Sequence, residues 1–273
     1  MNHPQVSGLA AQVRARVVSG DAAGAHPRDG GTAQPRDGDT VIAYPLLGPH
    51  TGFPALEQTV LECASGRSHP RDTGACEQVL FVLRGEGVLH VAGRAHSLEP
   101  ESGAYLASGE RYELENLRSS PLRLVAVTVP EPDQDPAGGS APAAPAHPVV
   151  RRLADQERAT ATAQREFRIV ADPASGLRSA THFVGDIPPG RAPDHFHTYD
   201  EVIYVLDGEG VMHVHGADHP LSRGSSIQLP ARTVHCLENT GDGVMRVVAV
   251  FRPAGSPAAA YYPDGSPAYM EQS

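Results

Sequence analysis

The stretch VLFVLRGEGVLHVAGRAHSL at 79–98 returns as VIYVLDGEGVMHVHGADHPL at 202–221, 123 residues further on. The same offset carries RLVAVTVP (123–130) onto RVVAVFRP (246–253) without a gap, and about two in five of the positions from 79 to 130 are identical to their counterparts. A period of this length means two similar domains, because solenoid repeats run only ~20–50 residues. Each unit reads as β-structure. VLFVL and VIYVL are β-branched and aromatic runs that stop at Gly-x-Gly, VMHVH alternates, and SSIQLP and MRVVAVF follow at regular spacing. Helical signals are weak, and the best of them, RRLADQERATATAQREF at 151–167, lies outside the repeat. Many short strands with glycine turns predict a sandwich or a small barrel for each unit.

The repeat divides the chain. Residues 1–40 are expected to be a flexible N-terminal segment, 41–130 a first barrel, 131–149 a Pro/Ala/Gly-rich linker, 150–253 a second barrel and 254–273 a Tyr/Pro-rich tail. Tyr261, Tyr262 and Tyr269 suggest that the tail packs back onto the body or onto a partner. With 22 Lys plus Arg against 32 Asp plus Glu, the chain carries a net charge of −10, which argues against nucleic acid and anionic membrane surfaces as partners. No stretch approaches the ~20 apolar residues of a membrane span. The N-terminus lacks a secretory apolar segment. Cys63, Cys76 and Cys236 are odd in number and show no CxxC spacing, so reduced thiols and a cytoplasmic location are expected.

The chemistry concentrates in PDHFHTYDEVIYVLDGEG, residues 193–210. On an extended strand alternate side chains share a face, so His195, His197 and Glu201 can project into one interior, followed on that face by Ile203 and Val205. His235 lies on a later strand that can cross the same space. Three imidazoles and a carboxylate suit a borderline divalent first-row metal: Fe, Mn, Ni, Co, Cu or Zn. The pattern Gly190-x4-His195-x-His197-x3-Glu201-x6-Gly208 resembles the first motif of the cupin superfamily, and Gly224-x5-Pro230-x4-His235-x3-Asn239 resembles the second. The resemblance covers roughly residues 41–253. It implies an all-β protein of two tandem double-stranded β-helix (cupin, or jelly-roll) barrels, a bicupin. It also implies that His195, His197, Glu201 and His235 are ligands of one divalent transition metal (Fe, Mn, Zn or Ni) in the C-terminal barrel. Two departures are visible: the opening glycine stands one residue closer to the first histidine than usual, and Arg232 occupies a position that is commonly glycine.

The first unit serves as an internal control. Gln78 stands where Glu201 does, Tyr112 where His235 does, and Asp72 and Gly74 fall opposite His195 and His197. The span Gly66–Gln78 is one residue longer than Gly190–Glu201, so a slip of one is expected there. Glu77 neighbours the ligand position, but one residue of shift on a strand reverses its face. The N-terminal barrel is therefore expected to be a metal-free structural partner. In the second unit, His213 and His215 are expected to face outward and Cys236 to point away from the metal, while Asn239, repeated as Asn116, serves a turn. Candidates for the substrate pocket are His182, Arg191, Gln228 and Met212, with His182, Tyr204 and Asp186 as groups able to act as acid or base.

Three functions fit. The first is a non-haem Fe(II) dioxygenase acting on a small organic molecule. The second is a redox-neutral metalloenzyme (isomerase, epimerase, decarboxylase or aminohydrolase) using Mn, Zn or Ni, and the bicupins resembled include ureidoglycine aminohydrolases, in which one barrel carries the metal. The third is a non-catalytic cupin that binds a small ligand. No separate catalytic residue is singled out. The partner expected is a small-molecule substrate, and open sheet edges allow a homodimer.

Overall fold

In the strand Asp200–Asp207, Val202 and Tyr204 point one way and Ile203 and Val205 the other, and all four are buried. A strand apolar on both faces needs a hydrophobic layer on each side. The computed structural model, which describes residues 14–20, 37–130 and 148–268, supplies both layers. Ile203 and Val205 enter a core inside the second barrel with Phe183, Met212, Leu237 and Val247. Val202 and Tyr204 enter a different core, shared with Val60, Val79, Phe81 and Val127 of the first unit. The repeated strand Cys76–Arg84 behaves alike: Val79 and Phe81 join the shared core, while Leu80 and Val82 join a third one inside the first barrel. The molecule thus has one core within each barrel and one between them.

Each unit is a large antiparallel sheet facing a small one, the all-β tandem jelly-roll arrangement that the cupin resemblance implied. In the second unit the large sheet runs Ser226–Leu229, Asp200–Asp207, Met245–Arg252, Thr181–Ile187, Glu166–Ala171, Arg158–Thr160. The small sheet runs Gly190–Arg191, His235–Asn239, Gly210–Val214, Ala217–Leu221. The first unit repeats this plan, with Cys76–Arg84 and Leu122–Pro130 central in its large sheet. Gly66 pairs with Asn116 as Gly190 pairs with Asn239. The first unit therefore carries its extra residue between Gly66 and Gln78.

The edges are exchanged. Arg16–Val18 extends the large sheet of the second barrel, with Arg16 opposite Gln228 and Val18 opposite Ser226. Val150–Arg152 extends that of the first, with Val150 opposite Ala104. Arg16–Val18 thus departs from the flexible segment expected over 1–40, and Val150–Arg152 lies on the neighbouring sheet rather than on that of the second barrel. Unpaired edges are costly, and each arm covers one. Residues 1–13 and 21–36 of the expected flexible segment, and residues 131–147 of the expected linker, lie outside the described residues. The weak helical signal at 151–167 is not realised. That stretch forms the end of one strand, the strand Arg158–Thr160, the beginning of Glu166–Ala171 and short 3-10 turns, because sheet pairing outweighs a weak helical propensity. Among the described residues no helix is long and apolar enough to cross a membrane.

Candidate metal centre

Strand alternation and one backbone pairing bring the three histidines together. His195 and His235 bond each other's main chain, with His195 N donating to His235 O at 3.0 Å and His235 N to His195 O at 2.8 Å. Phe196, between the two histidines of the HFH triplet, turns outward and stacks on Tyr261 at 5.6 Å. His195 and His197 therefore turn inward. Ring centroids lie 5.0 Å apart for His195 and His197, 4.6 Å for His195 and His235, and 5.2 Å for His197 and His235. One nitrogen from each lies within 4.8 Å of those of the other two.

The other nitrogen of each ring is anchored. Nδ1 of His195 lies 2.8 Å from Pro193 O, that of His197 2.8 Å from Ala259 O, and that of His235 2.9 Å from Thr233 O. A carbonyl oxygen only accepts, so each Nδ1 carries the proton and each Nε2 keeps its lone pair. Burial holds all three rings neutral: it lowers His195, brings His197 down to about 4 with help from His195, and takes His235 well below the usual range, aided by His195 and His197.

Glu201 lines the same cavity from the strand Asp200–Asp207 but stands outside the 4.8 Å imidazole group. Its carboxyl is buried and pushed up to about 8 by desolvation. Two residues earlier on the same face, Tyr199 stacks on His197 at 4.6 Å and on Phe251 at 3.9 Å, which fixes the imidazole plane. The cavity measures about 110 Å³. Phe167, Phe183, Ile187, Met212 and Leu237 form its apolar wall, Arg165 is its one arginine, and Pro257, Ala258, Ala260 and Tyr262 of the tail form another side.

Of the substrate-pocket candidates, Met212 lines this cavity and three do not. His182 is on the opposite face of its strand from Phe183. It is fully enclosed at the interface between the barrels, 6.0 Å from the Phe81 ring, and burial lowers it to about 3. Gln228 faces away from Ile227 and Leu229, accepting from Thr51 Oγ1 at 2.7 Å and donating to Arg14 O at 2.8 Å. Arg191 is exposed and meets Asp194 at 3.3 Å. The acid–base candidates lie elsewhere too: Tyr204 belongs to the shared core, and Asp186 pairs with Arg168 and Arg246. His182, Gln228, Tyr204 and Asp186 are even-numbered on strands whose odd positions face inward. Residues that sequence reading passed over are Tyr199, Arg165 and Ala259, whereas the tail is singled out by its tyrosines, of which Tyr262 lines the cavity. Tyr199 shares the odd phase of His195, His197 and Glu201, a signal that was present. Arg165 lies in a stretch outside the repeat that carries no motif.

The first barrel is filled instead. Tyr112 Oη donates to Gln78 Oε1 at 2.6 Å, so the two positions opposite His235 and Glu201 satisfy each other. Leu61 pairs with Leu124 as Gly185 pairs with Val247, so a leucine stands where the second barrel has open space. Glu77 points the other way. It accepts from Tyr105 Oη at 2.8 Å, from Arg178 N and Ser179 N at 3.0 Å each, and from Ser179 Oγ, joining the barrels.

Fold and site together define a tandem-barrel protein of the cupin type: residues 183–251 match the cupin domain model, which places the second barrel in the cupin superfamily. The chain is 36% identical over 66 residues to an oxalate-binding protein of Thermotoga maritima, a match that spans 23% of this chain and 54% of that protein, about half its length. Among solved structures, a protein described as glyoxylate-induced from Pseudomonas aeruginosa superposes with a TM-score of 0.66 at 20% identity, covering 80% of this chain and 83% of that one. The Mn(II)-containing oxalate decarboxylase of Bacillus subtilis gives 0.65 at 14% identity, covering 86% and 78%. At these identities the structures share the fold.

Proposed function

We propose that the second barrel holds one divalent transition metal (Fe, Mn, Zn or Ni) on Nε2 of His195, His197 and His235, with Glu201 as the acidic ligand, and turns over a small organic molecule beside it. One observation carries this reading: all three Nδ1 atoms are committed to main-chain carbonyls, so three neutral imidazoles present lone pairs to one point. Lone pairs converging in a buried site repel unless a cation lies between them, and carbonyl-anchored imidazoles are how protein metal sites fix tautomer and orientation. The desolvated carboxyl of Glu201 gains a counter-charge from the same cation. A bound metal would supply Lewis acidity, or electron transfer with O2.

The chain's own residues do the rest. Ala259 O and the Tyr199 ring hold His197 in place. Phe167, Phe183 and Met212 exclude water from the site, and the tail covers one side of it. Oxygen-dependent chemistry is the first reading, because among the described residues the cavity wall offers no imidazole beyond the triad and the chain has no lysine to serve as a base. A redox-neutral reading has one observation in its favour: Glu201 stands apart from the imidazole group, where it can take a proton from a substrate and return it. The oxalate-binding relative supports a small ligand in either case.

Metal analysis of the purified protein tests the site. About one equivalent is expected, and replacing His195, His197 and His235 together by alanine should abolish it. An unchanged metal content in that variant would refute the proposal. Turnover that persists without oxygen would select the redox-neutral class.

A further inference from the structure

Arg165 poses a physical problem that the metal site leaves unsolved. It lines the cavity with the three imidazoles, is half-buried, and donates one N–H to Leu237 O. Among the described residues no carboxylate pairs with it. Its neighbour Glu166, which also lines the cavity, pairs with Arg158 instead. A guanidinium removed from water without an acid partner is costly, and its planar fork is shaped for a carboxylate. All 22 Lys-plus-Arg residues of the chain are arginine, and among the described residues no other arginine lines this cavity, which gives it one guanidinium besides the imidazoles. Phe167, Phe183, Ile187 and Met212 give the same cavity an apolar wall with no side-chain hydrogen-bond donor on it.

We infer that the cavity is built for a small monocarboxylate, its carboxylate taken by Arg165 beside the imidazoles and its short apolar body laid on the phenylalanine wall. This inference rests on the metal-site reading and narrows it. Oxalate has no apolar body to bury against the phenylalanines, so the lining favours a monocarboxylate over it.

The test is calorimetric titration of the full-length protein, loaded with Mn(II), with butyrate, butyramide and oxalate in turn. Chelator competition measures Mn(II) affinity separately. Butyrate should bind the native protein at least about tenfold more tightly than butyramide or oxalate, the scale expected of charge-assisted hydrogen bonds. Arg165→Met should lose about tenfold or more for butyrate with Mn(II) affinity within about threefold of native, and Arg165→Lys should retain part of the binding. The butyrate–butyramide comparison needs no variant and so survives any folding defect. Equal binding of butyrate and butyramide, tighter binding of oxalate, no binding of butyrate, or undiminished butyrate binding by a folded Arg165→Met protein each overturns the inference. Should Mn(II) itself fail to bind, the metal reading falls alone. The same comparisons on metal-free protein then decide the role of Arg165.

Discussion

The imidazole of His197 is held by the main-chain oxygen of Ala259, 62 positions later in the chain, at 2.8 Å. That contact makes the tail part of the metal site. Removing residues 256–273 frees Nδ1 of His197 and uncovers Phe196, which stacks on Tyr261. Loss of an orienting partner typically costs 10–100-fold in metal affinity. The truncated protein should stay folded by circular dichroism and bind Mn(II) roughly tenfold to a hundredfold more weakly in chelator competition.

Gly185 keeps the second barrel open where Leu61 closes the first. Its backbone needs no glycine-only conformation, and a Cβ there would meet Val247 Cγ2 at 3.3 Å. Gly185→Leu should therefore leave metal content near native while removing small-molecule binding, read by metal analysis and calorimetry on the same sample. The melting temperature should fall by only a few degrees, as expected for a small overpacking strain of about 1–3 kcal/mol.

His182 gives the interface between the barrels a pH dependence. Its folded-state pKa is depressed to about 3, against ~6.5 for an exposed histidine. As pH falls below ~6.5 the unfolded chain takes up a proton that the folded chain refuses, so stability drops across that window and levels off near 3. The slope is at most about 1.4 kcal/mol per pH unit. The three site histidines contribute in the same direction, so the informative quantity is native minus variant. His182→Phe should reduce the loss in urea-unfolding free energy between pH 7 and pH 5 by roughly 2 kcal/mol. Identical pH profiles would rule out the assignment.

Glu77 stands beside the position of a lost ligand and ties the barrels together. Its carboxylate is buried and receives bonds from Tyr105, Arg178 N, and both N and Oγ of Ser179. Glu77→Ala strands these donors, with an expected cost of about 3–5 kcal/mol in urea unfolding. Gln78→Ala, one residue along, removes the bond from Tyr112 and should cost about 1–3 kcal/mol.

What the sequence disclosed and what it hid have a common cause. The repeat and the HFH triplet were legible because a period of two assigns His195, His197 and Glu201 to one face regardless of what lies on the other. The pocket candidates His182 and Gln228 were misplaced because these strands are apolar on both faces. Val202 looks no different from Ile203 until a second barrel is known to cover it. Arg165 and Ala259 act through contacts across the fold, to Leu237 and His197, and no local pattern announces such contacts.

The exchanged arms have an evolutionary reading. Arg16–Val18 finishes the sheet of the later barrel and Val150–Arg152 finishes that of the earlier one. A gene cut between the halves would yield two products, each missing its outermost strand. With the halves interlaced in this way, neither copy can be deleted without leaving the other's sheet short of an edge.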